Sequence, residues 1–299
     1  MLLGVGQAGL HVRDARQEDH TVLVVMIRLE DKFVPMMNTQ AIFQQFVQPT
    51  VSLGVRQLQH GPLQVGRPVR LVTLIVALGV DRQGRKHVLG LWSGATENAE
   101  VCGALLDDLI ARGLSVDKPY LFILDGAKAL KKAVTSRFGS KGLIQRCRVH
   151  KKRNIQKYLP PKYHGMLSLK LRMAWGMTKY DQALQELRKV HDWLASINQA
   201  AAESLEEGME ETLTINRLGL PSQLRRLFSS TNLIESCFSR TGDLCRGVKH
   251  WRDGNMAQRW AATVLLEAET RFRRIQAYGQ LPLLINALTS TLDKQEAVA

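Results

Sequence analysis

A run of five apolar residues that ends in a single acid constrains this 299-residue chain more than any other feature. Tyr120 to Leu124 is followed at once by Asp125 and Gly126. A short apolar run closed by Asp-Gly is typical of a buried β-strand that delivers its last residue to an edge of a sheet. From Gly126 to Lys162 the sequence contains no Asp or Glu. Asp125 is therefore predicted to end a strand and to face a basic surface.

The charge of the chain predicts a polyanionic partner. The formal net charge is +14, and nucleic acid is favoured over a membrane because no amphipathic anchor accompanies the charge. The longest apolar run, Leu71 to Val80, is too short to span a bilayer. A generally basic, solvated surface is the alternative. One carboxylate beside many cations suits metal-assisted chemistry on a phosphate backbone.

Cysteine usage predicts a reducing environment. The four cysteines follow no ligand or disulfide pattern, and the N-terminus lacks the features of a signal peptide. We therefore expect a cytoplasmic protein.

The first half of the chain predicts a mixed α/β sheet, because strands and helices alternate along it. The predicted elements are a hairpin of strands over 69–80 and 86–93, a helix over 98–112, a strand over 120–124, a helix over 127–138 and a strand over 143–147. Before them, Thr21 to Ile27 could be a strand and Asn38 to Val47 a short helix, but no clear hydrophobic rhythm links the two.

The second half predicts helices. Pro160-Pro161 breaks the chain, and the residues from Tyr163 to about Leu213 have helical periodicity. Two more helices are predicted over 232–246 and 255–278. A helical block therefore separates the last strand from the helix that carries Glu235.

Glu235 has two interpretations. Asn232 and Glu235 have the spacing of a helix N-cap and its capping-box partner, which would give Glu235 a local structural role. Alternatively, the helix places Glu235 beside Asp125 as part of a carboxylate cluster that binds a metal ion.

Cys147 and His150 have half the spacing of a zinc site. No second pair of ligands follows at a suitable distance, so a four-ligand structural zinc is disfavoured. We expect His150 to bond a phosphate or an active-site carboxylate, and Cys147 to be a small core residue at a strand end.

Two basic clusters flank the predicted carboxylates in sequence and are candidate phosphate contacts, although each alone could be a solvated face. They comprise Lys151, Lys152, Arg153, Arg246, Lys249 and Arg252. Trp251 could stack on an exposed base, but packing between helices is the favoured role.

From about Leu71 to Leu284 the chain resembles the bacterial Mutator-type insertion-sequence transposases. The resemblance lies in several ordered motifs, which include Asp125-Gly-Ala-Lys-Ala, Gln145-Arg-Cys-Arg-Val-His150, Ser229-Ser-Thr-Asn-Leu-Ile-Glu235 and Val248-Lys-His-Trp-Arg-Asp-Gly254. The resemblance implies a DDE-type transposase, which cleaves and joins DNA strands with Mg²⁺ or Mn²⁺ during transposition.

The resemblance also implies an α/β, ribonuclease-H-like fold with a mixed sheet and an all-helical insertion before the catalytic Glu. It further implies a bacterial protein that is associated with the nucleoid. Asp125 matches the second catalytic Asp and Glu235 the catalytic Glu, so these two residues would bind the metal. Cys147 and His150 match the Cys-x-x-His signature of the family and would support the site. The expected partners are transposon ends and target DNA, with a homo-oligomer as the active form and no membrane.

The domains expected on this basis are four. They are a poorly defined N-terminal segment (1–67), the first part of the ribonuclease-H-like core (68–159), the helical insertion (160–228) and C-terminal helices that complete the core (229–299).

The first catalytic Asp of the family has no clear counterpart. His60-Gly61 stands where an Asp-Gly is expected, and the stretch from Lys32 to Val80 contains no Asp or Glu. Asp81 is the nearest acid, but it lies in the turn after the next strand, so we do not assign the role to it. We expect an N-terminally truncated or degenerate copy whose strand cleavage is impaired.

Two other functions remain open on the sequence alone. One is a non-catalytic DNA-binding remnant of a transposase, and the other is a metal-dependent nuclease that cleaves without joining strands.

Overall fold

The structure is a computed structural model that describes residues 9–11, 20–25, 73–94, 99–235 and 254–296. Its strands are β1 (Gly9–His11), β2 (His20–Val25), β3 (Thr73–Asp81), β4 (Lys86–Gly94), β5 (Tyr120–Leu124) and β6 (Gly142–Arg146). Its helices are α1 (Ala99–Ala111), α2 (Lys128–Phe138), α3 (Arg148–Gln156), α4 (His164–Gly176), α5 (Tyr180–Ala195), α6 (Gln199–Glu206), α7 (Thr214–Arg217), α8 (Ser222–Phe228), α9 (Gly254–Thr270) and α10 (Leu281–Glu296).

The six strands form one mixed sheet in the order β1-β4-β3-β2-β5-β6. The pairs β1–β4, β4–β3 and β3–β2 are antiparallel, whereas β2–β5 and β5–β6 are parallel. The carboxyl ends of β2, β5 and β6 therefore lie at the same edge of the sheet. The carboxyl end of β3 lies at the opposite edge.

Both faces of the sheet are buried, as the alternation of side chains along β5 shows. Leu121 and Ile123 pack in a cluster with α9 and α10, and Phe122 and Leu124 pack in a second cluster with α1 and α2. Successive strand residues point to opposite faces, so a strand that is apolar at every position needs helices on both sides.

A third cluster joins the helices α3 to α6. Leu187 and Leu194 of α5 are fully buried in it, and the seven-residue spacing places them on one face of the helix. Ile155 of α3 belongs to the same cluster, so helical packing begins before the Pro160-Pro161 break. The predicted domain boundaries remain predictions.

Most of the predicted elements are present. The hairpin, the helix after it, the strand that ends at Leu124, the following helix and β6 are all confirmed, and β2 confirms the strand predicted from Thr21. The helix predicted over 255–278 is wrong at its end, because α9 stops at Thr270 and α10 begins at Leu281. The helix predicted over 38–47 lies outside the described residues. No helix in the described residues is both long and apolar enough to cross a membrane.

Candidate active site

Asp125 directly follows β5 at the edge where the parallel strands end. Its Oδ1 accepts a hydrogen bond from the backbone N–H of Ala127 at 3.0 Å. Burial raises the pKa of Asp125, although that hydrogen bond and the positive charges of His150 and Arg146 oppose the shift. The carboxylate is therefore held in a site that would favour a compensating cation.

Arg146, the last residue of β6, lies beside the turn that follows Asp125. It donates from Nη2 to Glu207 Oε2 at 2.9 Å, while its buried Nε has no hydrogen-bond partner in the part of the chain that the structure describes. Gly126 has a φ of +118°, and a Cβ on it would lie 2.8 Å from Arg146 Nε. The turn therefore requires glycine both for its backbone conformation and for the space that Arg146 occupies.

Cys147 and His150 form a contact at the same edge. The backbone N–H of Cys147 donates to the carbonyl of Leu124 at 2.7 Å, which fixes Cys147 against the end of β5. His150 Nδ1 lies 3.3 Å from Cys147 Sγ, one turn later on α3. Burial alone would raise the pKa of the Cys147 thiol, but the interactions with His150 outweigh it and lower this pKa.

Glu235 reaches this edge through Thr231. The Thr231 hydroxyl donates to Glu235 Oε1 at 3.0 Å, and the Thr231 backbone N–H lies 3.4 Å from Cys147 Sγ. The contact with Cys147 raises the pKa of His150 most, and the negative charges of Asp125 and Glu235 raise it further. The charges of both predicted catalytic carboxylates therefore influence the pKa of the same imidazole.

The capping-box interpretation of Glu235 does not match these contacts. Residues 232–235 are helical, and the backbone N–H groups of Ile234 and Glu235 donate to the carbonyl of Thr231. Thr231, and not Asn232, therefore precedes the helix, and it bonds the Glu235 carboxylate through its side chain.

Metal-ligating groups are few at the site. Within the described residues, no group of three or more His, Cys, Asp or Glu side chains is arranged to hold a metal ion. The expectation that Cys147 and His150 are not half of a zinc site stays a prediction. Cys147 is fully buried, as expected for a small core residue.

Asp81 lies far from this edge, which agrees with the expectation that it is not the first catalytic acid. It ends β3 and is level with His20 at the start of β2, whereas Asp125 follows the far end of β5. Along the strand direction, Asp81 and Asp125 are about six residues apart, a distance on the order of 15–20 Å. Asp81 accepts hydrogen bonds from Arg85 and lies 3.1 Å from His87 Nε2, so it has a structural role in the hairpin turn.

His60 and Asp31 lie outside the described residues, so the position of the first acid stays a prediction. The strand that separates β3 from β5 is β2. Because β2 and β5 are parallel, the carboxyl end of β2 lies at the same edge of the sheet as Asp125.

The predicted phosphate contacts divide into three groups. Lys151 is fully buried, and its Nζ donates to the carbonyls of Ser204 and Glu207. A buried ammonium with these partners cannot reach a phosphate, so the assignment of Lys151 as a DNA contact is wrong. Lys152 is half-buried and Arg153 is exposed, and both remain predicted contacts. The others, Arg246, Lys249 and Arg252, lie outside the described residues.

Sequence reasoning missed two residues that fix the helical block to the sheet. Gln145 is fully buried, donates from Nε2 to the carbonyl of Thr212 at 3.0 Å and accepts from the backbone N–H of Ile215 at 3.0 Å. Arg148 Nε donates to the same Thr212 carbonyl at 2.9 Å. The available signals were a Gln inside a strand and an Arg before an apolar helix position. Neither signal identifies the partner, which lies about 65 residues away in the sequence.

A family model described as "Transposase, Mutator family" matches residues 63–275, well over half of the chain. The chain is 25% identical over 245 residues to the transposase for insertion sequence element ISRM3 of Rhizobium meliloti (strain 1021), with 76% of this chain and 60% of that protein covered. It is 32% identical over 170 residues to the transposase for insertion sequence element IST2 of Acidithiobacillus ferrooxidans, with 56% of this chain and 55% of that protein covered.

A third relative is the probable transposase for an ISRM3-like insertion sequence element of Sinorhizobium fredii, which is 25% identical over 207 residues. The alignment covers 69% of this chain and 50% of that protein. The chain thus spans between half and three-fifths of the length of these relatives. The extent of the family match and the order of the matching motifs lead to one conclusion: this chain belongs to the Mutator family of transposases.

Proposed function

We propose that this chain is a transposase of an insertion sequence, with Asp125 and Glu235 as two of its catalytic carboxylates. The observation that carries the proposal is a chain of contacts at the edge where Asp125 follows β5. The Thr231 hydroxyl donates to Glu235 Oε1 at 3.0 Å and lies 3.4 Å from His150 Nδ1, and the backbone N–H of Cys147 donates to the carbonyl of Leu124 at 2.7 Å. The mixed sheet with a helical block between β6 and residue 235 supports a ribonuclease-H-like, DDE-type arrangement.

The donor atoms suit a hard divalent cation. Carboxylate oxygens are the ligands that Mg²⁺ prefers, and burial raises the pKa of Asp125, as expected where a cation would compensate the charge. Asp125 and Glu235 would hold the metal. When bound, Mg²⁺ or Mn²⁺ supplies Lewis-acid activation of a nucleophilic water or 3′-hydroxyl and stabilises the leaving oxygen.

The protein's own groups would position these carboxylates. The Ala127 N–H holds Asp125, and the Thr231 hydroxyl holds Glu235. His150 would supply a positive charge near both carboxylates, because its own pKa is raised. Cys147 and His150 therefore support the site without binding the metal.

The proposal that strand cleavage by this chain is impaired rests on the sequence, which has His60-Gly61 where an Asp-Gly is expected. A histidine in place of the first Asp would remove an oxygen ligand and negative charge that Mg²⁺ requires.

A strand-transfer assay tests the proposal. Four purified proteins are compared: the unchanged chain, the His60→Asp variant, and two double variants that combine His60→Asp with Asp125→Asn or with Glu235→Gln. Each is incubated with DNA that carries the ends of the element, a target plasmid and Mg²⁺ or Mn²⁺. We expect little product from the unchanged chain, a gain with His60→Asp, and loss of that gain in both double variants.

Other outcomes would change the assignment. Full activity of the unchanged chain with Mg²⁺, abolished by substitution of Asp31 alone, would show that the first ligand is misplaced. DNA binding without cleavage by any variant would favour the DNA-binding remnant, and cleavage without joining would favour a stand-alone nuclease.

A further inference from the structure

A cavity of about 470 Å³ opens between the start of α3, helix α4 and helix α8. Its lining includes five basic side chains, three serines and one tryptophan, and no carboxylate is among the described residues that line it. The basic side chains are Arg148, Lys152, Arg172, Arg225 and Arg226. Of these, the sequence predicts only Lys152 as a phosphate contact.

The inner wall of the cavity holds a guanidinium whose charge is not neutralised by any carboxylate of the described residues. Arg148 donates to the carbonyls of Thr212 and Trp175 and to the amide oxygen of Asn216, which are all neutral acceptors. Burial and the neighbouring charge of Arg225 lower the pKa of Arg148 to about 9. Two like charges are thus held close together, an arrangement that a bound anion would stabilise.

Arg225 on α8 adds a second positive charge to the wall of the cavity. Its Nη1 donates to the carbonyl of Met177 at 2.8 Å, which is a neutral acceptor. No carboxylate among the described residues is paired with it.

The rim of the cavity presents further cations. Arg172 on α4 and Arg226 on α8 are exposed, and Lys152 on α3 is half-buried. Three elements thus direct positive charge towards one opening.

The cavity adjoins the proposed catalytic edge. Ser229 lines it and accepts, through its carbonyl, a hydrogen bond of 2.9 Å from the backbone N–H of Arg148. Arg148 follows Cys147 directly, and Thr231 is only two residues beyond Ser229.

We propose that this cavity binds backbone phosphates of DNA beside the strand segment held at Asp125 and Glu235. This inference rests on the proposed function and extends it to Arg172, Arg225 and Arg226. Arginine forks and serine hydroxyls match phosphate oxygens in geometry and charge. The Arg148 guanidinium lies over one face of the Trp175 ring, 5.5 Å from its centroid.

The test is the salt dependence of binding to a fluorescent DNA duplex, measured by anisotropy without divalent metal. The variant is Arg172→Gln/Arg226→Gln. The control is Arg188→Gln/Lys189→Gln, which removes the same charge from exposed positions on α5 that do not line the cavity. Thermal unfolding of both variants should match that of the unchanged chain, because the four side chains are exposed.

We expect the cavity variant to lower the slope of log K against log[salt] by about 1.8, or about 0.9 for each phosphate that the protein no longer neutralises. Between roughly 50 and 200 mM salt, the unchanged chain would therefore lose about tenfold more affinity than the variant. The control should keep the original slope. Equal effects of the two variants, an unchanged slope in the cavity variant, or no DNA binding at all would overturn the inference.

Competition separates the sources of phosphate and the alternative partner. Unlabelled duplex should displace the labelled DNA, and inorganic phosphate at matched ionic strength should displace it only weakly. Strong displacement of the labelled DNA by inorganic phosphate would show that the cavity binds a free anion, and strong displacement by polyglutamate would show that it binds an acidic protein segment. Either result, if it is lost in the cavity variant, would overturn the assignment to DNA.

The binding assay also distinguishes this inference from the proposed function. If the cavity variant lowers the salt slope but the His60→Asp variant does not cleave DNA, the phosphate site is retained and the catalytic assignment is rejected. If the His60→Asp variant cleaves DNA but the cavity variant leaves the salt slope unchanged, the catalytic assignment is retained and the phosphate site is rejected.

Discussion

His150 is the side chain whose pKa responds to both proposed catalytic carboxylates. Its pKa is raised chiefly by the contact with Cys147 and then by the charges of Cys147, Asp125 and Glu235. A raised pKa in the folded state means that the charged imidazole stabilises the protein fully below its ordinary pKa of 6.5, and that this contribution is lost as pH rises through the raised pKa.

We predict that Cys147→Ser lowers the pKa of His150 more than Glu235→Gln does, because the contact with Cys147 is the larger cause. Titration of the imidazole by NMR measures both values. A His150 pKa that does not respond to Glu235→Gln would place that carboxylate outside the site.

Lys151 and Lys152 are adjacent in sequence but have different environments. Lys151→Gln should lower the free energy of unfolding by about 1–3 kcal/mol, since buried carbonyls lose their donor, and should leave the salt dependence of DNA binding unchanged. Lys152→Gln should change stability by less than about 0.5 kcal/mol and lower the salt slope by about 0.9. Urea unfolding and anisotropy measure the two effects. A lower slope in Lys151→Gln would mean that its amine leaves the interior on binding.

At the scale of elements, the turn from β5 into α2 determines where Asp125 lies. This turn needs a positive φ at Gly126, and the Arg146 side chain fills the space next to it. The sequence pattern of an apolar run closed by Asp-Gly predicts such a turn. Only the pairing of β5 with β6 brings Arg146 against it.

We predict that Gly126→Ala lowers the free energy of unfolding by about 1–3 kcal/mol from backbone strain, with a further loss from the contact with Arg146. Gly139→Ala is the matched control. Gly139 also has a positive φ, of +52°, but a Cβ on it would meet no atom within 4 Å. Chemical denaturation should therefore show a larger loss for Gly126→Ala, and equal losses would show that Arg146 adjusts freely.

At the scale of the whole molecule, the sheet joins segments that are far apart in the sequence. β2 lies between β3 and β5, although about 50 residues separate β2 from β3 in the chain. This arrangement puts the carboxyl end of β2 at the edge that carries Asp125. It also makes β2 a central strand, whereas β1 is an edge strand that pairs only with β4 among the described strands.

We predict that Val24→Pro lowers the free energy of unfolding by about 3 kcal/mol or more, because proline removes a ladder hydrogen bond and clashes in a central strand. Leu10→Pro in β1 should cost less, because edge strands tolerate proline. Thermal or urea unfolding compares the two variants. A larger loss for Leu10→Pro would contradict the strand order.

The sequence by itself determined the local elements and the class of protein. Apolar runs and their bounding glycines predicted the hairpin, β5, β6 and the helices between them, because hydrophobic periodicity and turn chemistry are local properties. The motifs around Asp125, Cys147 and Glu235 indicated the Mutator family, which the family match confirms.

The tertiary structure decided which of these residues meet. Thr231 connects Glu235 to Cys147, and Gln145 fixes the helical block, through hydrogen bonds between segments that no local pattern relates. It also decided which cations face solvent. Lys151 is buried whereas Lys152 faces the cavity, because one step along α3 turns the side chain by about 100°, from the packed face of the helix to its open face.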